Sequence, residues 1–149
     1  MATLAGLKSL DLCGTGITDL SPLAALGELK RLVLVNTTVA NLAPLTALTE
    51  LEELLIDGTR VADLSPLAAL TKLESLSLSS TLVTDISVLA LLKRLTQLWL
   101  YNTWISDLSP LLGLGGLKSL GLPEIASAEH VRQLELTVPT CMYIRRSWE

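Results

Sequence analysis

Four aspartates are spaced by 22 residues or by twice that number: Asp19, Asp63, Asp85 and Asp107. This regular spacing is the pattern in the chain that most suggests chemistry. If each interval forms one coil of a stacked repeat structure, neighbouring carboxylates would lie about 5 Å apart. That is close enough for them to share a calcium ion. Asn41 interrupts the series, however, and three of the four aspartates are followed by Leu-Ser-Pro. Asp or Ser ahead of Pro is typical of a helix start, where the side chain accepts a backbone hydrogen bond. We therefore predict that the aspartates cap short turns, and we expect no metal or other cofactor.

The other reactive residue types form no catalytic constellation. His130 is the single histidine, with no Asp or Ser at a motif spacing, and we expect it to be structural or solvated. The chain has no CxxC, Gly-rich phosphate loop, HExxH or GxSxG motif. Cys13 and Cys141 fall near opposite ends of the predicted solenoid, too far apart for the ~7 Å that a disulfide allows between Cα atoms. We predict a non-enzymatic protein in a reducing compartment, the cytoplasm.

These residues are carried by a 22-residue repeat that opens on a leucine each time: Leu7, Leu29, Leu51, Leu73, Leu95 and Leu117. The phrase is LxxLxLxxTx[VI]xDLxPLxxLxx, and a fixed period in this range indicates a solenoid. Alternating leucines at positions 4 and 6 predict a short strand with one buried face. Threonine at position 9 can bond backbone groups that the following turn leaves unpaired. The Leu-Ala-Ala-Leu segment after each proline is long enough only for a 3₁₀ or brief α-turn.

The shared text LxxLxL, the turn residue at position 9 and the D[LI]SPL phrase resemble the leucine-rich repeat family, in its short, 22-residue bacterial type seen in internalin-like proteins. The resemblance covers residues 7–116 in full copies. It implies an α/β repeat fold, a right-handed solenoid with a concave parallel β-sheet and short 3₁₀ or α turns on the convex side. It also implies protein–protein recognition. Threonine stands at position 9 where that family usually has asparagine, so a hydroxyl ladder replaces the amide ladder.

The two ends of the chain depart from the period. We assign residues 1–122 to the repeats, with five complete copies from Leu7 and partial copies at both ends. Counting back from Leu7 places Met1 in the middle of a coil. We expect either a fragment of a larger protein or a first strand covered by a partner or by a second copy, which would be self-association through an uncapped N-terminal coil.

Residues 123–149 form a C-terminal cap for which the sequence leaves two alternatives. In the first, Val131–Leu136 repeats the VxxLxL spacing as a shortened last coil, and Cys141–Ile144 follows as an edge strand. In the second, a helix runs from about Ala128 to Glu135 and is capped by Ser127. The shortened coil is the reading we predict.

Strand positions 3, 5 and 7 face outward and form the predicted concave surface. Three of the chain's five aromatic residues fall there within one copy: Trp99, Tyr101 and, just after them, Trp104. Exposed aromatic clusters mark interaction sites, although these rings could instead pack on the turn and beside the cap. The remaining predicted contact residues are the apolar Val33, Val35 and Leu55, and Glu53 and Asp57 from an adjacent acidic patch.

The composition limits the class of partner. A net charge of −4 does not provide the basic stripe that nucleic-acid binding requires, and no apolar run approaches the ~20 residues of a membrane span. Residues 1–13 lack the basic start of a signal peptide. We therefore predict a binding module for a protein partner of unknown identity. The alternative is a sensor or regulatory segment of a larger intracellular enzyme or effector, and a secreted adhesin is the less favoured third reading.

Overall fold

The computed structural model describes residues 4–138 and, for the backbone alone, residues 143–146. Each coil contains one strand and one short helical turn. The strands are β1 Ser9–Asp11, β2 Arg31–Val33, β3 Glu53–Leu55, β4 Ser75–Ser77, β5 Gln97–Trp99, β6 Ser119–Leu122 and β7 Tyr143–Arg146. The turns are 3₁₀ helices at Leu4–Gly6, Ser21–Ala25, Ala43–Ala47, Ser65–Ala69, Ser87–Leu91 and Ser109–Leu111. Across the described residues, no helix is long and apolar enough to cross a membrane.

The strands form one parallel sheet in sequence order, β1 to β7. From β1 to β6 each strand pairs with the next at the constant offset of one repeat, as in Leu10 with Leu32 and Leu76 with Leu98. The predicted fold is confirmed: a right-handed solenoid with a concave parallel sheet and 3₁₀ turns on the opposite side. The constant offset means that residues at one repeat position form a row across the sheet.

The core consists of aliphatic side chains that the repeat stacks coil on coil. In the third copy Leu51, Leu54, Ile56 and Val61 have no exposed surface. Burying such a side chain contributes roughly 1.5–3 kcal/mol, but the gain depends on a neighbouring coil on each side. The first copy lacks that cover on one side, and its Leu7, Leu10, Leu12 and Ile17 are only partly buried.

The threonine column closes each strand onto the turn that follows it. Each threonine hydroxyl of this column donates to the backbone carbonyl three residues earlier, at 2.7 to 2.8 Å. The five donors are Thr15, Thr37, Thr59, Thr81 and Thr103. All except Thr15 are buried. A buried carbonyl without a partner costs about 1–3 kcal/mol, so this hydroxyl satisfies a group that the ladder leaves unpaired. The backbone-bonding role predicted for position 9 is confirmed.

The aspartate column fixes the start of each 3₁₀ helix. Asp19 Oδ1 accepts from the backbone N–H of Ser21 at 2.9 Å, and Asp63 Oδ1 accepts in the same way from Ser65 at 2.8 Å. Asn41 makes the equivalent bond to Ala43, at 2.9 Å. The N-cap is the residue after each aspartate rather than the aspartate itself: Leu20, Leu64, Ile86 and Leu108. The carboxylates therefore do bond the helix start, one position earlier than an N-cap.

The C-terminal cap contains a helix where we predicted a shortened coil. Helix α1 spans Ala128–Thr137, and the hydroxyl of its N-cap Ser127 accepts from the backbone N–H of His130 at 3.1 Å. The prediction of an extended Val131–Leu136 segment is wrong, because Val131 and Leu134 pack into the core from one helix face. β7 joins β6 with Leu120 opposite Ile144, so the last coil is slightly longer than the others rather than shortened. Cys141 and Met142 lie outside the described residues.

The aspartate column predicts acid sensitivity. The N–H and hydroxyl of Ser65 lower the pKa of Asp63 below its ordinary value of 3.8, and the pKa values of Asp19, Asp85 and Asp107 are lowered in the same way. A lowered folded-state pKa stabilises the fold above about pH 4, and this stability is lost as the pH falls through the folded pKa. Urea unfolding should show a smaller loss of stability between pH 5 and pH 2 when all four are changed to Asn.

Asn41 shows that an amide preserves the bond, so the four-Asn variant should keep most of its stability at pH 7. Glu28→Gln, which removes one exposed carboxylate elsewhere, is the control and should retain the acid sensitivity. An unchanged pH dependence in the four-Asn variant would contradict this assignment.

Candidate functional site

Two rows of outward side chains cross the concave face of the sheet. The first row lies on the strands and consists of Asp11, Val33, Leu55, Ser77, Trp99 and Gly121. The second row lies two residues further along and consists of Cys13, Val35, Asp57, Ser79, Tyr101 and Pro123. Backbone bonds continue past the strands into this second row, for example from Gly58 N to Ser79 O at 2.9 Å and from Ser80 N to Tyr101 O at 2.9 Å. Both rows are therefore held by the ladder itself.

Trp99 and Tyr101, here called the aromatic pair, stack on each other on this face. Their ring centroids are 6.2 Å apart and their planes differ by 16°. Both side chains are half-buried, whereas Leu98 and Leu100 beside them point inward and are fully buried. The alternation of the strand thus separates the leucines, which fill the core, from the aromatic rings, which lie outside it.

Gly121 provides the space that the aromatic pair occupies. It lies opposite Trp99 on the neighbouring strand. A Cβ at this position would lie 2.5 Å from Tyr101 Cζ and 2.9 Å from Trp99 Cε3. Both rings therefore lean over the glycine backbone, and no larger residue fits without displacing them. Sequence reasoning missed this role, although a glycine in the row directly beside a tryptophan is a signal that could have found it.

Trp104 lies apart from the aromatic pair, so the structure joins only two of the three predicted aromatics. It is 72% exposed and lies beyond the buried Thr103, on the rim of the solenoid. Together with Asn102, Thr103, Glu124 and Ile125 it lines a small cleft between two successive coils. Ile125 is also exposed, so two apolar side chains, Trp104 and Ile125, lie among the polar residues of this cleft.

Val33, Val35 and Leu55, here called the apolar patch, lie on neighbouring coils. The ladder places Val33 directly opposite Leu55. We predicted three exposed side chains, but Val33 is only 5% exposed and forms the floor of the patch. Val35 and Leu55 are half-buried and form its accessible part. The first row is therefore more buried than its outward direction suggests.

The predicted acidic patch is a set of ion pairs between coils. Glu53 Oε2 lies 2.6 Å from Arg31 Nε, and Glu52 Oε1 lies 2.8 Å from Lys30 Nζ. Glu50 pairs in the same way with Lys72 at 2.8 Å. The hydrogen bond between Lys30 and Glu52 raises the pKa of the lysine and lowers the pKa of the carboxyl. These side chains are roughly half exposed, so the pairs add little stability, but they neutralise most of the negative charge.

Asp57 is the exception among these carboxylates. Its Oδ1 accepts from the hydroxyl of Ser77 at 2.5 Å and from the backbone N–H of Ser79 at 3.1 Å. Unlike Glu53, it forms no ion pair within residues 4–138. The carboxylate is therefore fixed in direction over the next strand, and among residues 4–138 it has no ion-pair partner.

His130 and Cys13, whose residue types could have carried catalysis, lie apart from one another. His130 is on α1, with its Nε2 atom 4.0 Å from Asp107 Oδ1, and its Nδ1 atom is buried without a hydrogen-bond partner in the described part of the chain. Cys13 is a free, exposed thiol at the first coil. Searched as a whole, the described residues contain no group of three or more His, Cys, Asp or Glu side chains able to hold a metal ion.

Comparisons with known proteins agree with this architecture. The family model for leucine-rich repeats, in two copies, matches residues 49–91. The crystal structure of internalin C2 from Listeria monocytogenes is similar at 42% identity and a TM-score of 0.76, over 80% of this chain and 54% of that one. No curated protein matches significantly.

Two further solved structures share the fold. A leucine-rich repeat protein of Leptospira interrogans has a TM-score of 0.84 at 25% identity, over 94% of this chain and 37% of that one. The internalin InlF of Listeria monocytogenes has a TM-score of 0.73 at 21% identity, over 96% of this chain and 48% of that one. The chain thus spans about half the length, or less, of the structures it matches.

Gly121→Ala tests whether the aromatic pair rests on the backbone of this glycine. The added methyl group should push both rings aside and change the near-ultraviolet circular dichroism of the stacked pair. Because the rings face solvent and can turn away, the free energy of unfolding should fall by less than about 1 kcal/mol, below the range for overpacking a closed core. Gly27→Ala, where a Cβ would meet nothing within 4 Å, is the matched control. An unchanged spectrum for Gly121→Ala would show that the rings do not rest on this glycine.

Proposed function

The chain is a leucine-rich repeat protein of the bacterial type, and we propose that it is a non-catalytic module that binds a protein partner on its concave face. The observation that carries this proposal is the aromatic pair, held on the sheet face outside a core that leucines already fill. Trp and Tyr dominate the hot spots of protein interfaces. The proposed contact residues are Trp99, Tyr101, Trp104, Val35, Leu55, Asp57 and Glu53, with Val33 supporting them from below.

The dimensions of the face suit a folded partner. Seven strands spaced about 4.8 Å apart span roughly 29 Å, enough for the ~800 Å² that each partner contributes to a standard interface. The apolar patch and the aromatic pair are separated by one strand, β4. A partner that covers both would bury a central apolar area inside a polar rim, which is the usual anatomy of such interfaces.

The state of the polar groups favours binding over catalysis. Glu53 is engaged by Arg31, and Asp57 is oriented by Ser77 and Ser79. A serine nucleophile is activated by an adjacent general base such as histidine, and His130, the single histidine of the sequence, lies on α1 rather than beside Ser77 and Ser79. We propose a cytoplasmic location for this module, supported by the exposed free thiol of Cys13, which suits a reducing compartment.

We also propose self-association through the first coil. Its partly exposed leucines correspond to fully buried ones in later copies, and β1 is an edge strand of the described sheet. An uncovered strand edge is a template for pairing with another chain. Sedimentation velocity across a range of concentrations should reveal dimers or larger species. Ser9→Pro, which removes an edge N–H, should shift these species toward the monomer, and a monomer at all concentrations would contradict the proposal.

Trp99→Ala and Tyr101→Ala test the proposed binding face. Hot-spot side chains contribute about 2 kcal/mol or more, so each change should weaken capture of the partner from source-cell extract by roughly 30-fold. The melting temperature should change little, because neither ring fills the core. Leu91→Ala, which truncates an exposed apolar side chain on the convex side, is the control. Loss of stability with unchanged capture would show that the aromatic pair is structural.

A further inference from the structure

We propose that the partner places a basic side chain, best an arginine, between Leu55 and Trp99, with its guanidinium on Asp57. This inference rests on the proposed function and identifies the chemistry that the concave face would recognise. It follows from the charge, the orientation and the surroundings of Asp57.

The charge of Asp57 is the first feature that favours a cation from the partner. On the concave face Glu53 already has Arg31 as its cation. Within residues 4–138 two carboxylates of the face form no ion pair, Asp11 and Asp57. Asp11 is exposed on the edge strand, whereas Asp57 is half-buried at the centre of the sheet. A half-buried carboxylate is less well screened by solvent, so an added cation interacts more strongly there.

The orientation of the Asp57 carboxylate also favours a cationic donor. Both hydrogen bonds to Asp57 reach the same oxygen, Oδ1, and both come from the coil of β4. The second oxygen, Oδ2, accepts no hydrogen bond from the part of the chain that the structure describes. The carboxylate is thus held in a fixed direction by two donors and keeps one oxygen ready for a further donor. Such preorganisation lowers the entropy cost of binding.

The shape of the surface between β3 and β5 suits a long, flexible side chain. Ser77 and Ser79, here called the serine strip, separate Leu55 and Asp57 on one side from the aromatic pair on the other. The flanking strands β3 and β5 are two strand spacings apart, about 10 Å, and only small side chains lie between them. Ser77 is buried and forms the floor. A flexible aliphatic stem could therefore lie along the strip against Leu55.

Arginine fits this strip better than the other side chains that a partner could offer. Its planar guanidinium donates several hydrogen bonds in one plane and stacks on aromatic faces. One N–H group would reach Asp57 Oδ2, and the guanidinium would face Tyr101, which lies in the same row as Asp57 and stacks on Trp99. Cation–π attraction operates within ~6 Å of a ring centroid. The hydroxyl of Ser79 offers a second acceptor beside Asp57. The predicted partner is therefore a protein that presents an exposed arginine on a narrow protrusion.

The test uses a defined probe, the peptide acetyl-Gly-Arg-Gly-amide, titrated into the isotope-labelled full chain. Its binding should shift the NMR signals of the Ser79 amide, which donates to Asp57, and of the Trp99 indole. The same peptide with citrulline, a neutral side chain of nearly the same shape, should bind at least tenfold more weakly. Asp57→Asn retains an acceptor for Ser77 and Ser79 and should abolish the preference for arginine.

Asp11→Asn removes the same charge from the same face and should leave the preference intact. Equal shifts with both peptides, or an arginine preference that survives Asp57→Asn, would overturn this inference. Those results would leave the proposed function standing, since that function fails only if partner capture survives the loss of the aromatic pair.

Discussion

The constant 22-residue offset between neighbouring strands is the constraint on which the rest of this structure depends. It pairs each strand of β1 to β6 with the next in the same register, so every repeat position becomes a row that crosses the sheet. Leucines at the inward positions reach complete burial only because a like residue lies above and below them. A single coil buries too little to offset its own ordering, and stability is therefore shared between neighbours.

The same offset separates the groups that hold the fold from those free to recognise something else. The threonine and aspartate columns bond backbone groups on either side of the turn that joins each strand to its 3₁₀ helix, so their polar atoms are engaged within the chain. The side chains of the outward rows are not needed to fix the backbone of every coil in this way, and their composition varies from coil to coil. One stretch has valine and leucine, the next has serine, and the next has the aromatic pair over Gly121. The surface therefore differs along the solenoid while the core repeats.

Much of this fold could be predicted from the sequence because the repeat presents the same local evidence several times. The strands, the 3₁₀ turns and the roles of Thr59 and Asp63 all follow from one phrase. The C-terminal cap occurs once, and the spacing of Val131 and Leu134 suits one face of a helix as well as a strand. The segment forms a helix, and Leu136 is left exposed on it.

The properties of the candidate face were harder to predict because they depend on neighbours in adjacent coils. Three features involve residues one full repeat apart. They are the burial of Val33, the ion pair of Glu53 with Arg31, and the packing of the aromatic pair on Gly121. Within one copy, none of these relations is visible. Reading the rows across the copies would have paired Trp99 with Gly121, but the direction in which the rings lean requires coordinates.

The central claim is that recognition occurs on the concave face rather than on the turns of the convex side. Site-specific photo-crosslinking tests it most directly, with benzoylphenylalanine placed at Gln97, exposed on β5 beside the aromatic pair, or at Ala68, exposed on a convex turn. Irradiation in source-cell extract should give a discrete partner adduct from position 97 and none from position 68. An adduct from position 68 alone, or equal adducts from both positions, would contradict the account.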